Sequence, residues 1–383
     1  MNKEFALALS GGGYRATLFS LGSLWRLNEF GLLAQMNRIT SVSGSSILSA
    51  FLAMKWGRLD FDENTKVARN FSTVIADPIR DFCSKNLDVK AGIAGIFSFR
   101  KSIGDKIAEI YAKRLYGTKT LQDLPVPSNA PEFIFYATSL QSGASVRISR
   151  SWIRDYKVGS LPNPALLLAK IVGASSAFPP VLSPVTIECD PDAWQKMDGA
   201  FLFDNVEYRK KLILTDGGVY DNMGLEAVWN DGFKNVFVCN ASAPLKTDPD
   251  PGKNWASQAL RVSSIITDQA RALRKRALIE NYQKLDANGN HLEYGGAYWS
   301  IRTEINDYEV DGPMVHDNEL TASLQKMRTR LNAFSEEEQG HLINWGYALT
   351  DAALRRWYFT DRKEQGIWPI LEYALNKQVN SPH

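Results

Sequence analysis

Ile39-Thr40-Ser41-Val42-Ser43-Gly44-Ser45-Ser46-Ile47 is a short β-branched run that meets a serine and a glycine, after which apolar residues recur at helical spacing (Ile47, Leu48, Phe51, Leu52). The pattern predicts a strand, a tight turn and a helix, with Ser43 at the apex. Such a turn holds the hydroxyl in front of a helix N-terminus, where unpaired N–H groups and the helix dipole favour negative charge. Both effects suit a nucleophile. A helix cap from Ser45 or Ser46 is the plain alternative. Strict G-x-S-x-G is not met, because Ser41 and Ser45 occupy its two glycine positions. Both are still small enough for strand and helix to pack closely.

Upstream, Phe5 to Leu9 is a continuous apolar run ended by Ser10-Gly11-Gly12-Gly13, and Leu18, Leu21, Leu24 and Trp25 follow at helical spacing. This predicts a second strand, turn and helix. Three glycines let a backbone approach a ligand closely and aim several N–H groups at one point, and Arg15 adds a fixed positive charge. A phosphate or an oxyanion fits there; a plain tight turn is the alternative. A nucleotide site is disfavoured, since no GK[ST] follows and Gly11 and Gly13 meet only the first half of G-x-G-x-x-G.

Downstream, Leu212 to Thr215 reads as a buried strand that empties into Asp216-Gly217-Gly218-Val219-Tyr220-Asp221-Asn222. An Asx-turn or a helix cap is the alternative for Asp216, although capping suits Asp221 or Asn222 better. Phe133 to Thr138 reads as a strand with Ser145 to Ile148 as its hairpin partner, and Phe237 to Cys239 as one more. Pro164 to Val172 reads as a helix with proline in its first turn, leading into the small-residue stretch Gly173-Ala174-Ser175-Ser176-Ala177-Phe178-Pro179-Pro180.

Residues 58–118 read as inserted helices and loops, with periodic runs near Thr65 to Ala76 and Ile103 to Leu115. Within them, Ala91 to Phe99 followed by Arg100 and Lys101 is either a buried connector or a lipid-headgroup contact. Beyond Pro244 the pattern is mostly helical, with Ala256 to Tyr282 and Glu336 to Tyr358 the longest candidates and a strand around Ala297 to Ile305. Arg271, Arg274, Lys275 and Arg276 read as a solvated charged face, or more sharply as a docking face.

The 383 residues are long enough for one large domain or two smaller ones. With 44% hydrophobic and 22% charged residues and a net charge of +2, nucleic-acid binding across the whole surface is disfavoured. Cys83, Cys189 and Cys239 are far apart and form no CxxC pair, which predicts a reducing compartment and neither a disulfide framework nor a structural zinc site. The apolar run at Phe5 to Leu9 is too short for a signal or spanning segment. The expected location is the cytoplasm.

Three turns thus carry the chemistry: Gly11 to Gly13 with Arg15, Ser43, and Asp216. In an open α/β sheet, turns at the carboxyl ends of parallel strands gather on one edge, which would bring donors, nucleophile and base together for acyl transfer. All four histidines (His291, His316, His341, His383) lie in the last quarter of the chain. The order Ser43, Asp216, His291 matches an α/β-hydrolase triad, but that fold builds several strands before its nucleophile and only 42 residues precede Ser43. A Ser–Asp dyad is the better reading.

GGGYRA (Gly11 to Ala16), SVSGS (Ser41 to Ser45), ASSAFPP (Ala174 to Pro180) and DGGVYDN (Asp216 to Asn222), in that order, resemble the patatin-like phospholipases, and the first two look especially like the cytosolic phospholipase A relatives. The resemblance covers about the first 240 residues. It implies a three-layer α/β/α fold around a central, mostly parallel sheet, with a catalytic core over residues 4–245, the helical insertion at about 58–118, and additional helices over 246–383 packed on the core. It further implies that Ser43 is the nucleophile, Asp216 the base, and the glycine loop of Gly11, Gly12 and Gly13 the oxyanion hole, with the N–H groups of Gly12 and Gly13 as donors. Ser41, Gly44 and Ser45 would shape the elbow, and Arg15 would hold the loop or meet a substrate phosphate.

The activity so implied is hydrolysis of membrane lipid esters, of phospholipase A or lysophospholipase type, through an acyl-enzyme. It needs no metal and no organic cofactor, and it brings peripheral contact with a membrane. A lipid- or phosphate-binding module without turnover, and an acyltransferase using the same dyad, stand as alternatives.

Overall fold

The computed structural model describes residues 3–87, 103–362 and 364–376, so the Ala91 to Lys101 stretch and His383 lie outside the described residues. Among the described residues, ten strands form one mixed sheet: β1 (Phe5–Leu9), β2 (Arg38–Val42), β3 (Glu132–Ser139), β4 (Ser145–Ile148), β5 (Trp152–Asp155), β6 (Gly159–Pro162), β7 (Val185–Glu188), β8 (Lys211–Asp216), β9 (Asn235–Asn240) and β10 (Gly295–Ser300). The order is β10-β9-β1-β2-β3-β4-β5-β6, with β7 and β8 branching from β3.

From β10 to β3 every pairing is parallel, and from β3 through β6, as at β3–β8 and β8–β7, every pairing is antiparallel. Half of the sheet is therefore as parallel as the sequence predicts, and the hairpins make the other half antiparallel. Both faces of the parallel half are covered, which is why its strands read as unbroken apolar runs. Leu7, Leu9, Phe237 and Cys239 face the larger core, whereas Ala6, Ala8, Val236 and Val238 face a second core that includes Leu278 and Tyr294.

The larger core is built on α1 (Gly13–Glu29) and α2 (Gly44–Lys55). Helix α1 is buried nearly all round, because the 336–357 helix lies directly on it. Glycines allow that approach. A methyl group at Gly22 would lie 1.8 Å from the Ile343 carbonyl oxygen, and one at Gly346 would lie 2.0 Å from that of Phe19. Residues beyond 245 also supply the edge strand β10.

The branch at β3 places the site. β2 pairs with β3 as far as Val42 opposite Tyr136, and β8 pairs with the next residues of β3, Asp216 opposite Ala137. Since β4 holds the other edge of β3 over residues 135–138, β2 and β8 share one edge and meet head to head. Asp216 therefore reaches Ser43 at the end of an antiparallel strand. This corrects the expectation that both turns end parallel strands.

Three other expectations shift. The helix expected from Pro164 starts at Leu168, because residues 166–168 bond instead to the backbone of residues 119–121. The helical run expected from Thr65 starts at Ser72, since Asp62 takes the N–H groups of Asn64 and Thr65 in a turn (2.9 Å each). Arg271 is buried rather than solvated and donates to the Ala243 carbonyl (2.9 Å).

Candidate active site

Ser43 is the residue before α2 and adopts φ +54°, ψ −124°, a conformation that side-chain-bearing residues rarely hold. What compels it is packing from both sides. A methyl group at Gly44 would lie 1.9 Å from the Gly13 carbonyl oxygen, so the glycine loop presses against the turn. On the other flank the Ser43 N–H donates to Ser175 Oγ (3.0 Å). Neither Ser45 nor Ser46 caps the helix.

The two serines at the expected glycine positions are fully buried, and their hydroxyls are engaged. Ser45 donates to the Ser10 carbonyl (2.7 Å) and pairs with Ser20 (3.0 Å), which ties α2 to the end of β1 and to α1. Ser41 accepts from Ser46 (3.1 Å), which pairs with Ser175 (2.8 Å). A glycine at either position would leave these hydroxyl bonds unmade.

The glycine loop leads directly into α1. The Gly11 N–H donates to the Asn222 carbonyl (3.0 Å), so it is not free as an oxyanion donor, which narrows the three-glycine expectation. The N–H groups of Gly12 and Gly13 have no acceptor among the described residues. They stand where a helix N-terminus leaves its donors unpaired. Arg15 is fully buried and holds the Ala241 carbonyl through Nε (3.1 Å) and Nη2 (2.5 Å) and the Met327 carbonyl through Nη1 (2.9 Å). Burial, with Arg271 adding to it, lowers its pKa to about 9. Its guanidinium thereby ties the start of α1 to the backbone of residues 241 and 327.

Asp216 is 2% exposed. Its Oδ1 accepts the Gly218 N–H (2.7 Å), and its Oδ2 is buried with no hydrogen-bond partner among the described residues. Burial raises its pKa to about 6, against the pull of the Gly218 N–H and the Ser43 hydroxyl. The hydroxyl is thus near enough to act on the carboxylate, yet no hydrogen bond of ordinary geometry joins them.

Ser175 and Asn222 join the three turns, a part that sequence reasoning did not assign to either residue. The Ser175 carbonyl accepts from Gly217 (3.3 Å), and its neighbour Ala177 accepts the Asp216 N–H (3.0 Å). The side chain of Asn222 is wedged between loops: a methyl group at either Gly11 or Gly218 would lie 2.4 Å from its Oδ1. Asp221 accepts N–H groups from Met223, Gly224, Leu225 and Glu226 in the turn that follows, and the Asp216 Oδ1 bond to Gly218 is the Asx-turn offered as its alternative. The clue was present in the small residues of ASSAFPP and DGGVYDN. Tyr111, bonded to Ser176 (3.1 Å), carried no such clue.

His291 packs on Gly295, at the start of β10, whereas the turns described here lie at the ends of β1, β2 and β8. A cleft of about 930 Å³, lined in part by Phe5, Phe30, Tyr358 and Arg362, also opens at the far end of the sheet.

The model of the patatin-like phospholipase family matches residues 7–229, more than half of the chain. The chain belongs to the patatin-like phospholipase family. The match spans all four motifs. Among solved structures, human GIVD cytosolic phospholipase A2 in complex with methyl gamma-linolenyl fluorophosphonate is similar at 14% identity and a TM-score of 0.51, over 91% of this chain and 57% of that one. The same human enzyme without that inhibitor is similar at 12% identity and a TM-score of 0.51, over 91% and 61%. At such identities the likeness establishes the α/β fold, and this chain spans about three fifths of the length of those structures. No curated protein sequence matches it.

Proposed function

We propose that this patatin-like chain is a lipid acyl hydrolase of phospholipase A or lysophospholipase type, working through Ser43 and Asp216. The observation that carries the reading is the buried Oδ2 of Asp216, unpartnered among the described residues, beside the strained Ser43 turn. A buried carboxylate oxygen without a partner costs stability and marks a place where a proton is to be received.

Ser43 Oγ attacks the ester carbonyl carbon as its proton passes to Asp216. The oxyanion that forms is received by the N–H groups of Gly12 and Gly13, each such donor being worth about 3–4 kcal/mol of barrier. The bond to the glycerol oxygen then breaks, and Asp216 returns the proton to that leaving alcohol. Water, deprotonated by Asp216, releases the fatty acid and restores Ser43. With a pKa of about 6, Asp216 is mostly ionised at pH 7 and a stronger base than an ordinary aspartate.

The test is hydrolysis of a defined phospholipid panel, with Ser43→Ala as control and the products identified. Release of free fatty acid that stops on Ser43→Ala is expected. Release that survives the substitution would refute the assignment.

A further inference from the structure

The helix Trp255–Gln283 packs with only part of its length. Its buried residues are Arg271 and Leu278, and Tyr282 adds a bond to the Val236 carbonyl (2.7 Å). Arg274 reaches the Tyr220 carbonyl and Glu226 (3.2 Å each) in the loop that follows Asp216. The N-terminal half lies open.

At about 100° per residue, Trp255, Val262, Ile266 and Leu273 fall within about 40° of one another, opposite the packed face. They are 84, 53, 60 and 52% exposed. The stripe is about 27 Å long at 1.5 Å per residue. An amphipathic helix of a globular protein turns such a stripe inward. Here it faces out. The flanking positions Ala256, Gln258, Ser263, Ile265, Ala270 and Ala272 are uncharged, so the apolar face is broad, unlike the narrow seam with charged flanks that specifies a helical pair.

Charge indicates the partner. Leaving out Arg271 and Arg274, which turn inward, residues 246–276 carry five basic and three acidic side chains, a net of two positive charges, as many as the whole chain carries. A second copy would bring the same surplus against this one. An anionic lipid surface neutralises it. Trp255 at one end of the stripe suits the headgroup boundary, where indole rings concentrate.

We propose that the outer face of this helix, from Trp255 to Leu273, docks on an anionic membrane. Through Arg274 the docked helix would hold the Asp216 loop at the lipid surface. The role in substrate delivery rests on the hydrolase reading; the docking itself does not.

The test is flotation of the full chain with phosphatidylcholine vesicles containing about a third phosphatidylserine. Wild type should float. Ile266→Asp with Leu273→Asp should lower the bound fraction at least about tenfold, and the milder pair Val262→Ser with Ile266→Ser should shift it the same way. Hydrolysis of the soluble ester p-nitrophenyl butyrate should not change in either pair, which also shows that they are folded. Ser43→Ala should float normally while losing that hydrolysis, which separates the two readings. Wild type that stays unbound, variants that float like wild type, or a wild-type dimer that the substitutions dissolve would each overturn the proposal.

Discussion

Two regions of this molecule bury charge, and they treat it in opposite ways. Between α1 and the 336–357 helix, Asp351 takes Arg26 on Oδ1 (2.9 and 2.6 Å) and Arg355 on Oδ2 (3.1 Å), while Arg26 also holds Glu29 (2.9 Å), which Tyr347 bonds in turn. Both oxygens of the central carboxylate are engaged. At the edge where β2 and β8 meet, Asp216 Oδ2 has no partner and the N–H groups of Gly12 and Gly13 have no acceptor among the described residues, and Ser43 is strained. The Asp351 carboxylate is completed within the fold, whereas the Asp216 carboxylate keeps an open oxygen on the side that the proposed mechanism uses.

Substitutions that break this contrast should separate stability from activity. The largest effect belongs to Ser43→Ala, expected to cut phospholipid hydrolysis about 10⁴-fold by steady-state assay while leaving the denaturation midpoint near wild type. Asp351→Ala should do the reverse. It removes the carboxylate that two buried arginines share, so chemical denaturation should register a loss of about 3–5 kcal/mol, with activity per folded molecule kept.

Asp216→Asn sharpens the comparison through its sign. A carboxyl raised from 3.8 to about 6 by burial holds more protons folded than unfolded between those values, so its contribution to stability is full below the lower pKa and is lost as pH rises through about 6. The asparagine variant should therefore be inactive yet more stable than wild type above pH 6, by on the order of 1–3 kcal/mol, and the gain should vanish near pH 4. Ser175→Ala, which removes the acceptor for the Ser43 N–H and the partner of the Ser46 hydroxyl, should have the smallest effect, lowering kcat about tenfold with KM unchanged.

Much of this site was legible because its signals are local. An apolar run that ends in Gly11-Gly12-Gly13, and another that ends in Ser43-Gly44, each carry strand, turn and helix within twenty residues. Strand direction is not local: Leu212 to Thr215 reads the same whether β8 runs with β3 or against it, so the head-to-head approach of Asp216 was hidden. Nor does sequence reveal that Arg271 turns inward, or that Gly11 spends its N–H on Asn222, since both depend on residues far along the chain. The family resemblance supplied the joining of the turns before any coordinate did.

The central claim is that the Asp216 carboxylate takes the proton of the Ser43 hydroxyl. It is tested most directly by the rate at which a lipid-like fluorophosphonate labels the protein, mapped by peptide mass spectrometry from about pH 4 to pH 9. The account predicts modification at Ser43, at a rate that climbs with pH and levels off above about 6, and that collapses in Asp216→Asn. An unlabelled Ser43, or one labelled as fast in Asp216→Asn as in wild type, would contradict it.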